Sequence, residues 1–279
     1  MSCQFELTVI CDNYAEEGLL SEHGLSFALR ADGKNILFDT GNGETLIHNA
    51  TKLGIDLANI TQLVLSHGHY DHTGGIGELL HHNQHCQIIA HPFVLSERYS
   101  HHPAKPARRI SMPASIQSEL QQLIPTQLKL QSVSSMLNRH VGMTGQIPRI
   151  SEFEDTGGPF YIDKAAQFVD IIPDDQALWV NTSNGLIIIL GCCHSGLVNT
   201  IEYIRRLTGN NRVSGIIGGF HLLHASAERI NQTLFYLNKL KPDFIYAGHC
   251  TGDGVIEILR KNLSEGAVHQ LYAGMRIAI

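Results

Sequence analysis

The sequence predicts an α/β protein in one domain over residues 1–279: two mixed sheets packed as a sandwich, with helices outside. Three observations lead there. Strand-like and helix-like segments alternate in both halves of the chain, as expected of sheets covered by helices. No short-period repeat or low-complexity tract interrupts them. Clusters of histidine, cysteine and aspartate follow the strand-like runs, where open α/β sheets build their sites.

In chain order, "FELTVIC" and "KNILFDTG" read as strands that end in turn residues. "GETLIHNATKLG" reads as a helix closed by Gly54, and "TQLVLS" as a buried strand. "IGELLHH" is helical and "CQIIAHP" a strand stopped by Pro92. The stretch from about 93 to 125 holds Pro103, Pro106, Pro113 and Pro125 with Lys105, Arg108 and Arg109, and reads as a lid-like surface excursion. From residue 177 the alternation resumes. A hairpin turns on Ser183-Asn184-Gly185, and the helix "LVNTIEYIRRL" follows. Next come the strand "VSGIIGGFH", the helix "SAERINQTLFYLNKL", the strand "DFIYAGHCTG", the helix "GVIEILRKNL" and the closing strands "VHQLY" and "MRIAI".

Composition narrows the function classes. With 43% apolar and 16% charged residues, a chain of 279 buries a full core. It has no run of ~18 apolar residues, so no membrane span is expected. Its start, "MSCQFELTVICD", lacks the basic segment of a signal peptide. A net charge of -6 argues against a nucleic-acid partner. The six cysteines (Cys3, Cys11, Cys86, Cys192, Cys193 and Cys250) show no CxxC spacing and read as reduced thiols of a cytoplasmic protein. The unusual count is 17 histidines.

Four ligand-type residues crowd "LVLSHGHYDHTGG", residues 63–75: His67, His69, Asp71 and His72. In an extended segment His67 and His69 point to one side. Asp71 and His72 follow at the mouth of the next helix, and Gly74-Gly75 is expected to bend the chain after them. Neutral imidazoles with a carboxylate suit zinc and similar divalent ions. One loop does not complete such a site, and three further strand ends offer donors: Cys192, Cys193 and His194; His221; His249 and Cys250.

These motifs resemble the metallo-β-lactamase superfamily, which implies an αββα sandwich with a metal site at one sheet edge. More narrowly, the chain is similar to the group that includes the methanopterin-pathway dihydropterin ribofuranosylaminobenzene phosphate synthase. The matching stretches are "GLLSEHGLSFAL", "ILFDTGNG", "LVLSHGHYDHTGG", "TGQIPRISEFE", "DDQALWV", "GCCHSGLVNTIEY", "GGFHL" and "GHCTG", from about residue 9 to 252. The resemblance makes His67 and His69 ligands of a first metal, and Asp71, His72 and His249 ligands of a second. Two departures stand out. No histidine precedes the hairpin, which leaves His194 as the candidate replacement, and Cys192 occupies the place of the bridging aspartate.

The expected cofactors are therefore two divalent ions, Zn²⁺ first, with Mn²⁺ or Fe²⁺ as alternatives. The expected activity is hydrolysis of a small, phosphorylated or pterin-like molecule by a metal-bound hydroxide. Asp71 would orient that hydroxide and His221, matching no superfamily ligand, would protonate the leaving group. Arg149 is a phosphate candidate, and Lys105, Arg108 and Arg109 are either phosphate contacts or a solvated loop. His91 is a candidate for the pocket wall, and His101 and His102 either line it or do nothing. Asp39 is expected to orient the metal loop by hydrogen bonds, and His81, His82 and His85 to complement a helix dipole. Two other readings remain: a pterin-type synthase that releases pyrophosphate, and a metal- or ligand-binding protein without turnover.

Overall fold

The computed structural model describes residues 5–278. They form two compact units. Val133–Gly157 and Asp175–Leu271 make one; the described residues up to Ser132, Gly158–Asp174 and those from Tyr272 onward make the other. Of the six cysteines, Cys3 lies outside the described residues, as does the last residue of "MRIAI"; the other five cysteines are buried free thiols.

The larger unit is built on a seven-stranded sheet in the order Arg276–Ala278, Phe5–Cys11, Ser26–Ala31, Lys34–Phe38, Gln62–Val64, Gln87–Ala90, Leu128–Leu130. The first four pair antiparallel and the last four parallel. Leu37, Leu63, Ile88 and Ala90 of these strands pack with Leu46, Ile76 and Leu79 of the helices Leu46–Leu53 and Ile76–His82. The first helix ends where expected, at Gly54 in the left-handed region (φ 72°).

The second unit repeats the scheme. Its sheet runs Val268–Gln270, Phe244–Ala247, Val213–Gly218, Gly185–Ile189, Leu178–Thr182, Val141–Met143, Ser135–Met136. The first four pair parallel and the rest antiparallel. The "GLIII" strand is buried throughout, as a β-branched run between two covered faces must be. Against this sheet lie Leu197, Ile201 and Ile204 of the helix Leu197–Thr208, Leu234 and Leu237 of Ala227–Leu240, and Ile256 and Leu259 of Asp253–Asn262. The spacing of three and four residues puts each set on one helix face. Both units thus show the expected α/β class, mixed sheets with helices. Among the described residues no helix is long and apolar enough to cross a membrane.

The expected excursion at 93–125 divides in two. Its first part carries the strands Tyr99–Ser100 and Arg108–Arg109, which form a small antiparallel sheet with Phe160–Tyr161. Lys105, Arg108 and Arg109 are exposed there. The second part is core: Met112, together with Ile116 and Leu120 of the helix Ala114–Gln122, is buried in the apolar cluster of this unit. Four prolines masked an ordinary amphipathic turn sequence.

A buried ion network ties this region to the histidine loop. Arg98 donates Nη1–H to Asp174 Oδ2 at 3.0 Å, pairs through Nη2 with Asp174 Oδ1, and holds Asp170 Oδ2 3.1 Å from Nε. The same Asp174 Oδ2 accepts the Gly68 N–H at 2.8 Å. Arg98→Met leaves two buried carboxylates uncompensated and should cost about 3–5 kcal/mol. Urea unfolding at neutral pH reads the loss; a change below about 1 kcal/mol would mean the carboxylates find other partners.

Candidate metal centre

The parallel half of the larger sheet ends in the histidine loop. Just past the end of strand Gln62–Val64, Ser66, His67 and His69 are buried, and His69 caps the single turn Tyr70–Thr73 with extended backbone (φ -78°, ψ 151°). Asp71 and His72 fall in that turn, both buried. Gly74 and Gly75 form the expected turn, between Tyr70–Thr73 and the helix Ile76–His82, with ordinary φ values of -63° and -85°. Their role is close approach, since a Cβ on Gly74 would stand 2.0 Å from the Asn42 carbonyl oxygen and one on Gly75 2.5 Å from that of Thr40.

Asp39 lies at the centre of the loop's hydrogen bonds, as expected. Its Oδ1 accepts the Ser66 N–H at 2.7 Å, and its Oδ2 accepts the Ser66 hydroxyl at 2.6 Å and stands 2.7 Å from His72 Nδ1. A carboxylate only accepts, so His72 donates Nδ1–H and presents Nε2 as a lone pair. With the Ser66 proton given to Asp39, His67 donates Nδ1–H to the Ser66 oxygen, 2.9 Å away, and likewise presents Nε2. That Nε2 is 2.9 Å from His69 Nδ1. Two imidazole nitrogens bound to one tetrahedral zinc would be about 3.3 Å apart, close to this spacing. His72 Nε2 is 3.9 Å from Asp71 Oδ2, which His23 Nε2 approaches to 3.2 Å. The donor types, their burial and their tautomers fit a divalent ion.

The second unit assembles its own set at three neighbouring strand ends. Cys192 and His194 follow Gly185–Ile189, His221 follows Val213–Gly218, and His249 and Cys250 follow Phe244–Ala247. Cys192, His194, His249 and Cys250 are buried and His221 half-buried. His194 stands with Nδ1 2.8 Å from the Thr156 carbonyl oxygen, to which it donates, and so presents Nε2. Its ring lies 4.2 Å from that of His221, centroid to centroid. The donor atoms of Cys192, His221 and Cys250 lie within 4.8 Å of one another. Burial raises the Cys250 thiol, but its hydrogen bond with Cys192 and the neighbouring His221 and His249 outweigh it and hold the thiol well below its usual value.

Other expected residues have different partners. Arg149 donates Nη1–H to the His194 carbonyl oxygen at 2.7 Å, so this guanidinium braces the His194 loop. His91 accepts the Phe93 N–H through Nδ1 at 3.1 Å and caps the short turn Pro92–Leu95. Burial, with Arg98 nearby, pushes its pKa down, and Asp174 opposes the shift. Arg108 donates to Tyr70 Oη at 2.9 Å and lies over its ring. His101 stands edge-on to Tyr161, while His102 is exposed. His81, His82 and His85 are exposed at the end of the helix Ile76–His82.

Sequence reasoning missed several supports. Glu154 accepts the Val198 and Asn199 N–H groups at 2.8 and 2.9 Å, capping the helix that follows His194; burial raises its pKa despite those bonds. Asp175 accepts the Ser195 N–H at 2.7 Å, and burial pushes its pKa up to about 6. His23 and Glu22 have no periodic signal. Glu22 accepts the N–H groups of Asn42, Glu44 and Thr45.

Asp39→Asn keeps the volume but removes the acceptor-only group that sets the His72 tautomer. Metal affinity, read by competition with a chelator, should fall by about 10–100-fold; an unchanged affinity would remove Asp39 from this role. Asp175 predicts a pH effect. Its folded pKa lies above the unfolded value, so its favourable contribution is complete below pH ~4 and is lost as pH rises through about 6. In chelator, Asp175→Asn should gain on the parent by up to about 3 kcal/mol between pH ~4 and ~7. Parallel urea-stability curves across that range would contradict it.

Comparison with known proteins identifies the family. The family model of the metallo-beta-lactamase superfamily matches residues 22–249. A 7,8-dihydropterin-6-methyl-4-(beta-D-ribofuranosyl)-aminobenzene-5'-phosphate synthase of Methanocaldococcus jannaschii is 31% identical over 91% of this chain and 89% of its own. An uncharacterised protein of that organism is 29% identical over 88% of this chain and 90% of its own. Among solved structures, Tm1679, a metal-dependent hydrolase of the beta-lactamase superfamily, superimposes with a TM-score of 0.80 at 26% identity, covering 99% of both chains. The metallo-beta-lactamase fold protein YhfI of Bacillus subtilis shares the fold at a TM-score of 0.59 and 13% identity, over 100% of both chains. The chain belongs to the metallo-beta-lactamase superfamily.

Proposed function

We propose that this protein is a metal-dependent hydrolase of a small, phosphorylated or pterin-like substrate, with His67, His69, Asp71, His72, His194, Cys192 and His249 as its metal ligands. The observation that carries the reading is the Asp39–Ser66–His67/His72 network, which sets both ring tautomers so that Nε2 is left to bind. His194 is prepared in the same way by the Thr156 carbonyl. Two divalent ions, zinc by preference for imidazole, carboxylate and thiolate donors, would activate water and polarise a substrate oxygen.

The chain's own residues do the rest. Asp71 stands at the start of a helical turn with one oxygen toward His23, and would hold and orient a proton on the attacking water. Burial of the ligands keeps bulk water from competing with substrate groups. Arg149 holds the His194 carbonyl and Glu154 the Val198 N–H, so both keep the His194 loop in place.

A second reading, a synthase that joins a dihydropterin to an aminobenzene with loss of pyrophosphate, is supported by the relative that carries that name and matches most of the chain. One experiment separates the two. The chelated protein is reloaded with Zn²⁺ or Mn²⁺ and offered a panel of phosphodiesters, lactones and thioesters. A dihydropterin diphosphate is then offered with and without an aminobenzene ribofuranosyl phosphate. Turnover that needs only water supports the hydrolase; diphosphate release that depends on the acceptor supports the synthase. Tight metal binding with no turnover on any arm would leave a binding protein.

The parent should take up about two equivalents of zinc, and His67→Ala with His69→Ala should remove at least one. Unchanged zinc content in the double variant, measured by elemental analysis, would sink the ligand assignment.

A further inference from the structure

The second unit contains a donor set of which the proposed ligand list covers only Cys192. We propose that Cys192, His221 and Cys250 form a binding site for a thiophilic divalent ion, with two thiolates and one imidazole as ligands. The proposal makes His221 a ligand in place of the proton donor suggested by sequence, and gives Cys250, a strand-end donor in the sequence, a definite ligand role.

The topology brings the three together. They follow the strands Gly185–Ile189, Val213–Gly218 and Phe244–Ala247, which are consecutive in the sheet and mutually parallel, so their carboxyl ends are neighbours. All three donor atoms lie within 4.8 Å of one another. A tetrahedral zinc would hold two sulfurs about 3.8 Å apart and sulfur and nitrogen about 3.5 Å apart. The 4.8 Å bound exceeds these spacings by little more than about an ångström, a difference within the reach of small side-chain rotations. Three protein ligands leave a fourth position for water or substrate.

The backbone around the donors is shaped for them. His221 sits in the left-handed region at φ 46°, a conformation that is strained in a residue other than glycine and persists only where its surroundings enforce it. Gly157 lets the ring in, since a Cβ there would lie 2.0 Å from His221 Cδ2. Gly219 does the same for the thiol, since a Cβ there would lie 2.6 Å from Cys250 Sγ. The vicinal cysteines divide their tasks. Cys193, at φ 61°, turns into the apolar core, where its thiol meets Thr200 Oγ1 at 3.6 Å. Cys192 is left to the donor set. The Cys250 thiol donates to the Cys192 carbonyl oxygen at 3.6 Å, a weak bond that a thiolate ligand would give up.

Two thiolates select by softness. Zn²⁺, Cd²⁺ and Co²⁺ suit them and Mg²⁺ does not. Cys192 is the one residue shared with the proposed hydrolase site, but the inference does not rest on the histidine loop.

The test uses the full chain, reduced with a phosphine, stripped by chelation and titrated with Co²⁺ and Cd²⁺. The His67→Ala/His69→Ala variant separates the two readings, because failure of the loop assignment shows in zinc content and failure of this one shows in the cobalt spectrum. That variant should still bind about one equivalent of Co²⁺ with a near-ultraviolet sulfur-to-cobalt charge-transfer band. Adding Cys250→Ser should cut the band by about half and weaken Cd²⁺ binding by more than about tenfold, at least the effect of losing an outer-shell partner. His221→Ala should weaken Cd²⁺ binding similarly and carries the test if Cys250→Ser does not fold. Cys193→Ser should leave the band unchanged. No charge-transfer band in the loop variant, or full affinity in both Cys250→Ser and His221→Ala, would overturn the proposal.

Discussion

The buried carboxylate of Asp39 holds three groups at once: the Ser66 N–H, the Ser66 hydroxyl and His72 Nδ1. Its backbone is in the left-handed region at φ 61°, and its own N–H is spent on the Val64 carbonyl. The conformation turns the chain out of strand Lys34–Phe38 and aims the side chain at the end of the next strand. Ser66 then passes the constraint to His67, so one carboxylate sets two imidazole tautomers. Remove that polarity and the rings remain, but which nitrogen carries the proton is no longer specified. A ligand set made of histidines depends on that choice more than on the mere presence of the rings.

A carboxylate-centred network in an apolar unit needs its other charges balanced. Gly68, between the two histidines, donates its N–H to Asp174, and Asp174 is neutralised by the buried Arg98. Val94 closes the other side, because a Cβ on Gly68 would stand 2.2 Å from its carbonyl oxygen. The loop is thus fixed by backbone contacts at Gly68 and by side-chain contacts at Ser66 and His72. In the second unit the same work falls to different chemistry: the Thr156 carbonyl for His194, the Arg149 guanidinium for its backbone, and Asp175 for the amide that follows.

Much of this is legible in the sequence, and the parts that are not have physical reasons. The strands of β-branched residues, the helices with three-and-four spacing and the strand-end donors all carry local signals. Asp39 is readable because Asp-Thr-Gly directly follows an apolar run. The strand Val141–Met143 is not, since three residues with a central glycine carry no period. The helix Ala114–Gln122 hid among prolines, one of which, Pro113, is its own N-cap. Arg98 with Asp170 and Asp174 spans 76 residues of chain, and no local pattern announces such a pair. At Gly74-Gly75 the turn is legible but the need for glycine is not: the missing side chain matters there, because the Asn42 and Thr40 carbonyl oxygens come too close for a Cβ.

The exchange of a bridging aspartate for Cys192, inferred from the family resemblance, changes less in charge than in selectivity. Bound to a metal, a carboxylate and a thiolate each bring one negative charge, so the balance against a divalent ion is kept. What changes is polarisability and the proton that must leave first. A thiol ordinarily titrates near pH 8.5, some four units above a carboxyl, so binding must meet the cost of that proton. Neighbouring donors reduce the cost, and here they are near: the Cys250 thiol is held well below its usual range by Cys192, His221 and His249 against the pull of burial. Gathering thiols and imidazoles at adjacent strand ends therefore favours ions that bond sulfur strongly, while the Asp71–His72 side favours harder ones. Preference among divalent ions at such donors is then set by donor chemistry as much as by the fold the chain shares with its relatives.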